Sequence, residues 1–281
     1  MAVAISACCF GAIGVLVSLA VATGATLTVV LGYRYLIAAV VLGALLAMAR
    51  EPVGAPRRAL WIVLIGGGGQ TLVAYLGLTA LRYIPVANAT FLFYTFPAWV
   101  ALIAALRRTE PLTRVRVGAL ALSLIGIAVM IGGSTSVAGS PRGVALALGA
   151  AVVYSIYIPS IERLQQGFSS RAAALLVCVG AGAAFFVLAA LDGSLPMSLH
   201  RTAWLAILVL ALVSTVAAFQ LFLGGLKVLG PVRTAIVSTV EPFAAALLGA
   251  WLLGQPITMA TIAGGVLIIG AVVLLQRGSR V

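Results

Sequence analysis

Charge is what this sequence has least of. Of its 281 residues only 8% are Asp, Glu, Lys or Arg, five are acidic, and one is a histidine. A soluble domain carries roughly a quarter of its residues as charged side chains, so no water-facing surface can be built from this chain. The three cysteines, Cys8, Cys9 and Cys178, lie in apolar runs with no spacing toward His or acidic partners. That excludes a disulfide framework or a metal finger and leaves them as packing residues. His200 sits in an outward loop near Asp192, which could pair with it, but without a nucleophile, which argues against an enzyme. No glycine cluster ends in the GK[ST] of a phosphate loop. No metal or cofactor is expected, and no connection is long enough for a soluble domain.

What remains is hydrophobic: 63% of the residues, with a mean hydropathy of +1.24. Since about twenty apolar residues cross a bilayer core, the chain divides into ten spans. They are 3–22, 27–49, 60–81, 85–106, 113–133, 143–162, 171–191, 203–225, 231–253 and 257–276. The N-terminal stretch lacks the basic start of a signal peptide and is long enough to span, so it is read as a mature helix. An even number of spans puts both termini on one side. Thirteen basic residues then fall on the terminal side and three, Arg82, Arg142 and Arg201, on the other. The positive-inside rule makes both termini cytoplasmic. The net charge of +12 is thus a matter of orientation, and nucleic acid is not an expected partner.

Sliding the chain by 145 residues lays Leu81, Arg82 and Pro97 on Leu226, Lys227 and Pro242, and Glu110-Pro111-Leu112-Thr113 on Gln255-Pro256-Ile257-Thr258. The expected fold is all-α, integral to the membrane, with ten helices in two five-helix repeats. These run over 1–133 and 143–281, joined by a linker at 134–142. Five is odd, so the second repeat is inverted, an arrangement suited to alternating access around a midplane site. A channel or lipid scramblase is the alternative from a different class.

Two full charges lie well inside spans, Arg34 and Glu241. Such groups are costly in lipid and face a cavity or each other. At 1.5 Å per residue, Arg34 lies about 10 Å below the outer boundary and Glu241 about 15 Å above the cytoplasmic one. A static ion pair between them and a shared substrate site both remain open. Pro97 and Pro242 are candidate hinges, each removing a backbone hydrogen bond. Glu241 precedes one and Phe96 the other, which makes the pathway chemically asymmetric. Gln70, Tyr75, Asn88, Tyr94, Tyr154, Tyr157 and Gln220 are other polar or aromatic positions within spans, and all but Gln70 and Tyr154 join Arg34 and Glu241 as candidate substrate-binding residues. Tyr35 and Tyr83, near span ends, read as interface anchors. The GGGG run at 66–69 reads as a close helix contact.

The stretches "TVEPFAAALLGAWLLGQPITMATIAGGVLIIGAVV" and "ALRYIPVANATFLFYTFPAWVALIAALRRTEPLTRVRVGALALSLIGIAVMIGG", together with Arg34, resemble the EamA-type proteins of the drug/metabolite transporter superfamily, over all ten helices. The chain departs from that pattern at Gln255, where Glu is usual, and at Arg108-Thr109, where Gly is usual. The resemblance implies a secondary carrier exporting amino acids, related metabolites or drugs across the inner membrane; Glu241, a lone carboxylate at a proline kink, makes protons the candidate coupling ion. Uptake of a metabolite is the alternative direction. The partners it implies are a small-molecule substrate and the lipid bilayer.

Overall fold

A computed structural model describes residues 1–84, 86–131, 140–195, 198–254 and 256–277, without the side chains of Val86, Ala87, Leu253 and Arg277. Gln255 and most of the expected linker lie outside the described residues. Every regular element among the described residues is helical, as a chain in lipid requires when backbone groups must be satisfied within each segment.

The helices are α1 (Ala2–Val21), α2 (Leu27–Met48), α3 (Pro56–Ala80), α4 (86–106), α5 (Arg114–Met130), α6 (Pro141–Leu164), α7 (Ser170–Leu191), α8 (201–229), α9 (231–253) and α10 (Met259–Arg277). Among the described residues, eight apolar stretches are long enough to cross a membrane, and one of them, Arg201–Ser238, runs through a break at Gly230 (φ 75°, ψ 169°) that separates α8 from α9. This gives ten helices, as expected, in two five-helix repeats of inverted topology. Helices at matching positions of the two repeats pack on each other: α2 on α7, and α5 on α10. Both pairs are antiparallel, since Gly32 faces Phe186 while Gly43 faces Leu175, and Gly118 faces Leu274 while Gly126 faces Gly264.

Two helices are discontinuous. Helix α4 is interrupted at Tyr94-Thr95 and α9 at Thr239, positions that coincide when the repeats are superposed at 145 residues. Each break lies just before the expected proline, so that Pro97 and Pro242 fall in the first turn of the second segment, where a missing N–H costs nothing. The hydroxyls of Thr95 and Thr239 repair part of the loss by donating to the carbonyls of Leu92 (2.6 Å) and Ile236 (2.7 Å). Helices α3 and α8 each contain a widened π-type turn, at Ile62–Gly67 and Leu212–Ala217.

The chain forms two compact units, Met1–Thr71 with Ser160–Lys227, and Leu72–Pro159 with Val228–Val281. Each draws helices from both repeats. In the first, Phe10 of α1 sits edge-on to Phe219 and Phe222 of α8, and Ser6 donates to the Ala218 carbonyl at 2.8 Å. Tyr35 is fully buried there, stacked on Phe185 at 5.9 Å and accepting from Gln70 at 3.2 Å. It is a core residue and not the interface anchor expected from its position. Asp192 is bound by Thr28 at 2.9 Å, while His200 caps α8 through the Thr202 N–H, so the two residues make separate helix ties. Hydrogen bonds from Ser194 and Thr28 hold the Asp192 carboxyl below the usual carboxylate range. Cys178 is buried as expected, whereas Cys8 is exposed. In the second unit, Ala80, Ile84, Ala89, Leu92 and Ala147 form a core between α3, α4 and α6.

Candidate functional site

In the second unit the α4 break becomes a site. Breaking the helix at Tyr94 leaves the ring 5% exposed, and its side chain hydrogen-bonds Glu241, the first-turn acid of the second α9 segment. Around Tyr94 stand Phe93 at 5.4 Å and Phe96 at 5.9 Å. From α6, Tyr154 meets Phe96 edge-on at 4.8 Å and stacks on Tyr157 at 5.7 Å, with 13° between the rings. Asn88 lies buried on α4, six residues before Tyr94. Three expected residues, Tyr94, Tyr157 and Glu241, therefore share one aromatic cluster with a carboxylate, held at the breaks of both discontinuous helices. Aromatic faces and a carboxylate both attract a positively charged nitrogen. Phe93, Phe96 and Tyr154 complete the cluster. Their signal was the density of aromatics on either side of the proline, "FLFYTFP".

Tyr75, on α3 in the same unit, is 50% exposed and makes no ring contact among the described residues.

Arg34 and Gln220 belong to the first unit, and each is held by that unit's own groups. The Arg34 guanidinium, 3% exposed, donates to the Thr215 hydroxyl at 2.7 Å and to the Ser214 carbonyl at 2.9 Å. Both acceptors lie in the widened turn of α8, where the helical hydrogen-bond ladder is loosened and its groups can turn outward. Thr215 passes the chain on by donating to Leu210 at 2.9 Å, and the Arg34 guanidinium also lies 5.0 Å from the Tyr35 ring centre. Nothing in the apolar run of α8 announces this except the pair Ser214-Thr215. Gln220 donates to the Val216 carbonyl at 3.0 Å and accepts from Arg171 at 3.4 Å. Arg171 in turn pairs with Glu51 at 2.6 Å.

This bonding predicts a stability effect. Charge-assisted hydrogen bonds from a buried arginine contribute about 2 kcal/mol, so Arg34→Gln is expected to lower Tm by about 6 °C. It should leave the apparent solute affinity unchanged. A raised KM with an unchanged Tm in purified protein would instead place the solute on Arg34.

Comparison with known proteins adds four findings. Residues 1–132 and 141–277 each match the family described as "EamA-like transporter family". An "Uncharacterized transporter" of Archaeoglobus fulgidus is 28% identical over 239 residues, covering 83% of this chain and 82% of that protein. The "Uncharacterized inner membrane transporter YicL" of Salmonella typhimurium is 28% identical over 232 residues, covering 79% of this chain and 74% of that protein. A solved crystal structure shares the fold at a TM-score of 0.80 with 21% identity, over 99% of this chain and 96% of that one.

Proposed function

The chain belongs to the EamA-like transporter family, and from that premise we propose that it exports amino acids, related small metabolites or drugs by alternating access. It is a multi-pass membrane transporter and not an enzyme. The inner membrane is its proposed location, with both termini cytoplasmic and protons as the coupling ion. The observation that supports this reading most is Glu241, hydrogen-bonded by Tyr94 among four further aromatic rings at the matched breaks of α4 and α9. A carboxylate in that setting suits a solute's ammonium group or a coupling proton, and broken helices suit a site that must change shape. Tyr94, Tyr157, Asn88 and Glu241 are the proposed substrate-binding residues, with Pro97 and Pro242 as hinges. Gln220 and Tyr75 remain in the proposal as positions whose loss raises KM where the solute reaches them, whereas Arg34 is proposed to act structurally through Thr215 and Ser214.

Counterflow in proteoliposomes against a panel of amino acids, amines and cationic drugs tests this directly. Saturable exchange of at least one nitrogen-bearing solute, competed by unlabelled solute, is expected. Non-saturable flux, or movement of lipid alone, would favour a channel or scramblase. A reporter fused after Val281 that is active only in the periplasm would overturn the orientation.

A further inference from the structure

We infer that Glu110 is a positioning residue for transport, a latch that holds the first segment of α9 in place and must release in each cycle. This rests on the alternating-access reading above.

The segment in question is short. It runs from Pro231 to Ser238, bounded on one side by the left-handed Gly230 (φ 75°) and on the other by the break at Thr239, two residues before Glu241. Eight residues between two interruptions form a strut that can move as a unit, and its far end delivers Glu241 to the aromatic cluster. Its near end needs a cap, because the first N–H groups of a helix have no partner within it. Pro231 has no N–H, so Val232 carries the first free donor. The Glu110 carboxylate, from the connection between α4 and α5, accepts that N–H at 3.3 Å. The negative charge also complements the positive end of the helix dipole.

Glu110 is itself held. Arg116, at the start of α5, pairs with it at 3.0 Å, the two side chains being 12% and 16% exposed, and also donates to the Pro111 carbonyl at 2.8 Å. The turn that brings Glu110 there passes through Arg108 at φ 52°, a conformation that non-glycine residues seldom adopt. On the other side of the contact, a Cβ on Gly230 would lie 3.1 Å from the carboxylate oxygen. The glycine therefore serves twice, allowing the left-handed turn and leaving room for the acid. In the sequence Glu110 stands out only as part of the motif Glu-Pro-Leu-Thr, matched by Gln-Pro-Ile-Thr in the second repeat. In the fold the connection after α4 grips the start of α9, so the two broken helices are joined at the strut's near end by Glu110 and at its far end by Tyr94 and Glu241.

The test uses Ala235, fully buried one turn beyond Val232, changed to Cys after Cys8, Cys9 and Cys178 are replaced by Ala. Labelling of purified, reconstituted protein by a membrane-impermeant maleimide reports how often the strut leaves its seat. Glu110→Gln is expected to raise the labelling rate about tenfold, the shift that loss of one charge-assisted hydrogen bond produces, with Tm and monodispersity retained. Arg116→Gln should raise it by less. The double change Glu110→Arg with Arg116→Glu keeps an ion pair but puts a cation at the helix start, so labelling should stay high. Labelling that returns to the wild-type rate in the double variant, or never rises in Glu110→Gln, would overturn the latch. Counterflow measured on the same samples separates the two readings. Raised labelling without solute exchange by the parent protein would sink the transport reading and leave the cap standing.

Discussion

Glu241→Gln is expected to insert and fold, to lose the pH dependence of transport, and to fall about a hundredfold in kcat/KM, equivalent to about 2.7 kcal/mol of lost interaction. Glutamine keeps the size of the side chain and can still accept from the Tyr94 hydroxyl, so the aromatic cluster and the break at Thr239 stay intact. What disappears is the charge, and with it both uses of the residue: binding a proton and attracting a solute ammonium. Glu241→Asp keeps the charge on a shorter arm and should retain part of the rate. Transport by Glu241→Gln at the wild-type rate and with the wild-type pH profile would reduce the residue to a packing element.

Gly67→Ala is expected to be strongly disruptive, lowering Tm by about 10 °C, whereas Gly68→Ala, on the next residue, should be neutral or slightly stabilising. A Cβ on Gly67 would lie 2.6 Å from the Gly180 carbonyl carbon and 2.7 Å from the Ala181 nitrogen, while a Cβ on Gly68 meets nothing within 4 Å. Overpacking a tight contact typically costs about 1–3 kcal/mol, and the obstacle here is backbone, which cannot rotate away. Alanine at Gly68 instead gains about 0.5–1 kcal/mol of helix propensity. Thermal unfolding of the two purified variants in detergent measures the difference. Equal Tm values would mean that α3 and α7 do not meet as closely as described.

Composition and punctuation carried much of the fold. The ten helices, the duplication and the prolines of the discontinuous helices were legible because each is a property of the chain taken in order. Hydropathy sums along the sequence decide whether a segment crosses a membrane, and a proline inside an apolar run removes a backbone donor that the helix interior would use. Glu241 was legible for the same reason, since a carboxylate in an apolar run needs an explanation whatever surrounds it.

The roles of particular side chains were less legible. Arg34 and Glu241 looked alike in sequence, two charges at similar depth, yet in the fold Arg34 is taken up by Thr215 and Ser214 in a widened turn that no residue pattern announces. Tyr35 looked like an interface residue and is core, because α7 brings Phe185 over it. Glu110 looked like a loop residue and caps a helix 122 positions away. Sequence by itself determined how many times this chain crosses the bilayer and where its helices break, because those depend on local chemistry and the solvent around each segment. Which polar groups face each other was decided only by tertiary structure, because in lipid every buried donor must find an acceptor on a neighbouring helix, and that neighbour is set by packing.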